Sequence, residues 1–165
     1  MMGSSTTAQV TVPAEYNMGA IALAAGNGDV EARLYDDGIL FVEGVDQAAL
    51  DLAANEYGQS SEVAERERLK TEALLVARFN AFLDSVAAQR RYDSRFTCAL
   101  RAGFVGPFKE EGEVFAAWMD SCNMIAYQLM ADVKAGRVAV PSEAAMIAMM
   151  PQIQWPPSPI PEGAV

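Results

Sequence analysis

The stretch from Phe108 to Gly136, FKEEGEVFAAWMDSCNMIAYQLMADVKAG, constrains the fold most, because it keeps one helical period from a clear start to a clear stop. Phe115, Trp118, Met119, Cys122, Ile125, Leu129 and Val133 recur at steps of three and four, which puts them on one face that must be buried. Pro107 precedes the helix, Glu110, Glu111 and Glu113 load its first turns against the positive end of the dipole, and Lys134 followed by Gly136 marks the exit. The other long pattern, Ser61 to Arg91, is its expected packing partner. There Leu69, Val76 and Leu83 form one seven-residue row, and Phe79 with Val86 an interleaved one. Glu72 breaks the heptad and Leu75 and Phe82 widen the stripe, so a bundle packed on more than one side, or an oligomeric stem, fits better than a free two-stranded coil.

Upstream, the pattern changes period. Residues from Met1 to about Gln9 are small and polar and read as an arm. Val10 to Val12 ends at Pro13, which lacks a ladder donor and confines any strand there to an edge or an end. Ala20 to Gly26, AIALAAG, reads as a short strand or extended piece, rather than a helix, before the turn Gly26-Asn27-Gly28-Asp29. In VEARLYDDGILFVEGV, Val30, Ala32 and Leu34 alternate with Glu31, Arg33 and Tyr35, and Asp36-Asp37-Gly38 supplies the turn of a hairpin. Two strands alone are marginal, so the hairpin must lean on a helix, pair with the N-terminal segment, or extend a sheet in another subunit. Asp46 then reads as the N-cap, and Gly58 as the stop, of a short helix carrying Leu50 and Leu52, packed back on the hairpin.

Downstream of Arg90-Arg91, Asp93 is able to cap a short helix over Ser94 to Ala102 carrying Phe96, Cys98 and Leu100, and Gly103 with Gly106-Pro107 turns the chain into the central helix. Three helices joined by short connections should lie antiparallel as neighbours. Pro141-Ser142-Glu143 opens a last helix, AAMIAMM, stopped by Pro151, and QWPPSPIPEGAV favours an extended polyproline conformation. The expected fold is therefore α+β, mainly α: an arm, hairpin and short helix over residues 1–58, an antiparallel bundle of about three helices over 59–150, and a proline-rich tail over 151–165.

Composition narrows the function classes. With 22 acidic against 12 basic residues the chain carries a net charge of −10, which disfavours nucleic acid, whose phosphates require a concentrated basic face. The apolar run Met18 to Ala25 is less than half of the ~20 residues a membrane helix needs, and the N-terminus has neither the basic region nor the apolar core of a secretion signal. A soluble protein made in a reducing cytoplasm is expected. The chain has no histidine, so Ser121 has no triad base, and Cys98 and Cys122 alone leave half of a zinc tetrahedron empty. Both cysteines read as small buried hydrophobes. Gly26-Asn27-Gly28 is a turn and not a phosphate loop. Neither catalytic, metal nor cofactor-binding residues are assigned. Asp36 and Asp37 read as solvated turn formers, the Glu110, Glu111 and Glu113 group as dipole partners, and Glu65-Arg66-Glu67-Arg68 as a solvated helix face.

Two features stand out as partner contacts. Met146, Ile147, Met149 and Met150 form an adaptable apolar patch that either caps the bundle or meets a second protein. Trp155 among prolines is an anchor that docks the tail on its own domain or on a neighbour, docking on self being favoured. A 52% hydrophobic content at this charge leaves apolar surface for another chain to cover, and Leu69, Val76 and Leu83 make a trimer or dimer the expected state.

The blocks VEGVDQAALDLAANEY, RRYDS, the glycine turn with Pro107-Phe108, FAAWMDSCNMIAYQLMADVKAGR and PSEAAMIAMMPQIQWP, in that order, resemble a family of small bacteriophage tail proteins encoded near tail-fibre and baseplate genes. The resemblance runs from about Val30 to Pro156. The chain departs from that pattern at Met119-Asp120-Ser121-Cys122, where more aromatic and arginine character is usual. The resemblance implies a non-enzymatic virion component at the baseplate or tail-fibre attachment region, located in the phage tail and assembled in the host bacterial cytoplasm. It would have other tail or tail-fibre proteins as partners. The alternative it leaves is a tail-fibre assembly chaperone absent from the mature virion; a small hydrolase or lyase using carboxylates alone is a third.

Overall fold

A computed structural model describes residues 7–26, 32–34, 38–161 and 163, with the side chains of Arg33 and Leu34 outside the description. The expected turns at Asn27 to Asp29 and at Asp36-Asp37 lie outside the described residues, as do residues 1–6. The fold is α+β and mainly helical, with a small antiparallel sheet toward the N-terminus and helices after it. Backbone contacts group the chain into two compact units, Met1–Thr71 and Glu72–Val165.

In the first unit, β1 (Thr7–Thr11), β2 (Ala32–Leu34) and β3 (Ile39–Glu43) pair in the order β1-β3-β2, all antiparallel. β1 reaches into the stretch read as an arm, and as expected it lies at an edge. Of the three supports open to the hairpin, it uses the N-terminal strand and two helices. Ala8, Leu40 and Val42 point to one buried face, where α1 (Met18–Gly26) and α2 (Gln47–Gly58) supply Ile21, Ala22, Leu50, Ala53 and Ala54.

The segment read as a strand over Ala20 to Gly26 is instead the helix α1. Asn17 decides the matter locally: its Oδ1 accepts the Ala20 N–H at 3.1 Å, satisfying one orphan donor of the first turn. Four alanines in nine residues favour the helical backbone, and an all-apolar run has no alternation to hold a strand in register. α2 starts where expected, with the Asp46 side chain accepting from the Ala48 N–H at 3.2 Å.

α3 (Ser61–Ala88) runs through the division between the units. In the second unit its later turns lie antiparallel to α5 (Lys109–Lys134). Glu72 pairs with Lys134 at 2.9 Å near one end, and Arg90, just beyond α3, with Glu111 at 3.3 Å near the other. Between them Phe79, Leu83 and Val86 meet Phe115, Trp118 and Cys122. Full burial of one such side chain stabilises by about 1.5–3 kcal/mol. The bundle thus has the three expected helices, the long α3 and α5 with the short α4 (Arg95–Leu100) between them in sequence, and the short α6 (Glu143–Ala148) packs on the same core.

Ser94, and not Asp93, caps α4: its Oγ accepts the Thr97 N–H at 3.3 Å while the Thr97 hydroxyl accepts the Ser94 N–H at 3.1 Å. The single 3-10 turn Arg101–Gly103 follows. It crosses α5 so closely that a Cβ on Gly112 would sit 2.4 Å from the Ala102 nitrogen, so only glycine fits that crossing.

Candidate interaction surfaces

The seven-residue row on α3 does not form one buried face. Leu83 is 1% exposed inside the second unit's core, Val76 is 41% exposed, and Leu69, in the first unit, is 51% exposed. Within the second unit the cause is arithmetic: seven residues of a straight helix fall about 20° short of two turns, so from Leu83 to Val76 the row turns away from the core. Leu75, Phe79, Phe82 and Val86 follow the 3.6 period and stay in the core. Leu83 therefore cannot serve as a contact for a second chain while the unit is folded.

The methionine group divides in the same way. Met146 and Met150 are buried against the cluster of Phe115 and Trp118, Ile147 is half-buried, and Met149 is exposed. Most of this patch caps its own core.

Trp155 docks on its own unit. Its ring stacks on Phe115 at 5.8 Å between centroids, Arg90 lies over its face at 5.3 Å, and its indole N–H donates to Gln89 Oε1 at 3.2 Å. Trp118 donates to the Pro151 carbonyl at 2.7 Å and Arg90 to the Pro156 carbonyl at 2.7 Å. An extended proline-rich segment has no internal backbone bonds, so its carbonyls are free to be clamped by side chains in this way.

Glu111, read as a partner of the helix dipole, is 2% exposed. Tyr92 donates its hydroxyl to Glu111 Oε2 at 2.8 Å, and Oε1 is held only by the Arg90 ion pair, without a hydrogen bond. A signal for this was present: Glu111 precedes Phe115 by four and Trp118 by seven, which places it on the apolar face. Burial, then the hydrogen bond to Glu111, raise the Tyr92 pKa well above its ordinary value. Cys98 and Cys122 are buried and free. Burial, with the Glu111 charge adding to it, pushes the Cys98 thiol up to about 12, and burial pushes Cys122 up to about 11. At neutral pH both are thiols and poor nucleophiles.

The second unit leaves several large apolar side chains uncovered. Phe96 and Leu100, one turn apart on α4, are exposed, as are Phe104 and Val105 just beyond. Arg95 lies over the Phe96 ring at 4.4 Å and is itself fixed by Asp84 at 2.8 Å. On α5 the eleven residues from Ser121 to Ala131 carry no charge on any face, and Met124 and Tyr127 point outward from them. The sequence named Phe96 and Leu100 on the short helix without marking them as exposed, and gave Met124 and Tyr127 no role. Among the described residues no three His, Cys, Asp or Glu side chains converge as a metal site, and no helix is long and apolar enough to cross a membrane. Compared with known proteins, the chain matches no family model, no curated protein and no solved structure.

Proposed function

We propose that this chain is a non-enzymatic structural component of a bacteriophage tail, at the baseplate or the tail-fibre attachment region, acting through protein–protein contacts. The observation that carries the reading is the uncovered apolar set Phe96, Leu100, Phe104 and Val105, next to a core already closed by the methionines and the tail. Exposed large apolar side chains gathered on one short segment are costly in water unless another chain covers them. The order of sequence blocks resembles that of small phage tail proteins, which favours the same assignment and suggests the kind of partner, another tail or tail-fibre subunit.

Mass spectrometry of purified virions tests it: the polypeptide is expected at fixed stoichiometry, and its absence would refute a virion role. Co-expression with fibre subunits separates the alternative. An assembly chaperone binds fibre protein in the cell yet is missing from the mature particle. Phe96→Ser combined with Leu100→Ser is expected to abolish incorporation while leaving the far-UV circular dichroism unchanged, since neither side chain belongs to the core.

A further inference from the structure

The first unit carries a second surface of a different kind, independent of any role in a virion. Residue parity along β1 decides where its backbone groups point. The Val12 N–H donates to the Gly38 carbonyl at 3.0 Å, and Val10 and Ala8 lie opposite Leu40 and Val42, so the even-numbered residues turn their N–H and C=O toward β3. Thr7, Gln9 and Thr11 turn theirs outward, away from the sheet. Gln9 confirms the direction: its N–H donates to Gln47 Oε1 at 3.1 Å and its carbonyl accepts from Gln47 Nε2 at 2.8 Å. A side-chain amide from the first turn of α2 thus stands where the peptide group of a fourth strand would stand, exchanging the same two bonds. Asp51 Oδ1 accepts from that Nε2 at 2.8 Å and steadies the amide.

Strand edges left open to solvent are normally defended by lysine, proline or a bulge. The segment Thr7-Ala8-Gln9-Val10-Thr11 has none of these and no charge, in a chain of net charge −10 where most surfaces repel their own copies. It is also close to self-complementary about Gln9. Laid antiparallel on a second copy with Gln9 opposite Gln9, it sets Thr7 opposite Thr11 on the exposed face, a favoured cross-strand pair, and Ala8 opposite Val10 on the buried one. Gln9 with Gln9 and Thr7 with Thr11 then fall on the pairs that exchange both backbone bonds, the arrangement that the outward parity requires.

We propose that the β1 edge is a self-association site, at which two copies join β1 to β1 antiparallel about Gln9 and fuse their three-stranded sheets into one of six strands. Gln47 is the side chain displaced on joining.

The test uses the full chain. Sedimentation of the unmodified protein is expected to show a concentration-dependent dimer. Gln47→Ala, which removes the competing amide and its two bonds, is expected to tighten that dimer about tenfold. Gln9→Pro loses only an N–H that points away from β3, so the sheet is kept while the dimer is lost. Cysteine pairing reads the register independently of affinity: oxidised Gln9→Cys is expected to cross-link to itself, whereas Thr7→Cys cross-links efficiently only when mixed with Thr11→Cys. Buried Cys98 and Cys122 do not interfere. A monomer for both the unmodified chain and Gln47→Ala at every concentration reached would overturn the proposal. So would a dimer that survives Gln9→Pro, or Thr7→Cys alone linking as well as the mixture.

Discussion

The two units close their cores by opposite means. The first buries aliphatic side chains from short elements that follow one another within a few dozen residues, with Tyr16 and Tyr57, 5.2 Å apart, only partly buried against them. The second builds its centre from Phe115, Trp118, two thiols and two methionines. It is finished by a segment whose clamps, Gln89 to Trp155 and Arg90 to Pro156, each span 66 residues. Close packing of small groups needs only local order. An aromatic core with a distant strap needs the whole unit, so damage at one point there should spread.

Four measurements break or sharpen that contrast. Both tryptophans lie in the second unit, so their fluorescence reports on it alone, and amide exchange by peptide reports on each unit separately. The largest loss is expected for Phe115→Ala, about 3–5 kcal/mol from the cavity left beneath Trp118 and Trp155. Fluorescence should move by that amount while exchange in β1, β3 and α2 holds; joint loss would erase the contrast. Glu111→Ala comes next. It strips Tyr92 and Arg90 of their partner, and because Arg90 is about a fifth exposed the cost falls below that of a wholly buried pair, about 2–3 kcal/mol by denaturant midpoint. In the first unit, Asp46→Ala removes the α2 cap and should cost about 1 kcal/mol, visible as faster exchange in α2 with the fluorescence midpoint unmoved.

The smallest effect near neutrality is alkaline. The folded-state pKa values of Cys98 and Cys122, about 12 and about 11, lie above the ordinary thiol value, so their contribution is whole below about pH 8.5 and declines as pH climbs toward 11 and 12. The second unit's midpoint should fall between pH 8 and pH 9.5, and the first unit, which has no cysteine, should lack that component.

How far the sequence could be read follows the same division between local and distant causes. The hairpin, the Asp46 cap and the apolar face of α5 were legible because each is written in neighbours at a fixed period. α1 was not, since an all-apolar alanine-rich run has no period to read and the deciding Asn17 lies just before it. Leu69 and Leu83 looked equivalent, yet Leu69 falls in the first unit and is exposed while Leu83 lies in the second unit's core. Of the surfaces, Trp155 was legible as an anchor on its own domain. Its acceptor Gln89 and the buried Glu111 depend on which helix ends meet, which no local pattern records. The Gln47 amide on Gln9 was equally hidden, being a contact between a helix start and a strand 38 residues earlier.

The strap has a consequence during synthesis. Pro151, Trp155 and Pro156 are made after every residue they clamp, so Phe115, Trp118 and Arg90 lack these partners on the growing chain until that stretch emerges. Premature termination just upstream of Trp155 would release a polypeptide in which Phe115 lacks its stacked ring and Arg90 lacks both the Trp155 face and the Pro156 carbonyl. Such a product invites proteolysis, so the cell would retain chains in which translation has passed this point.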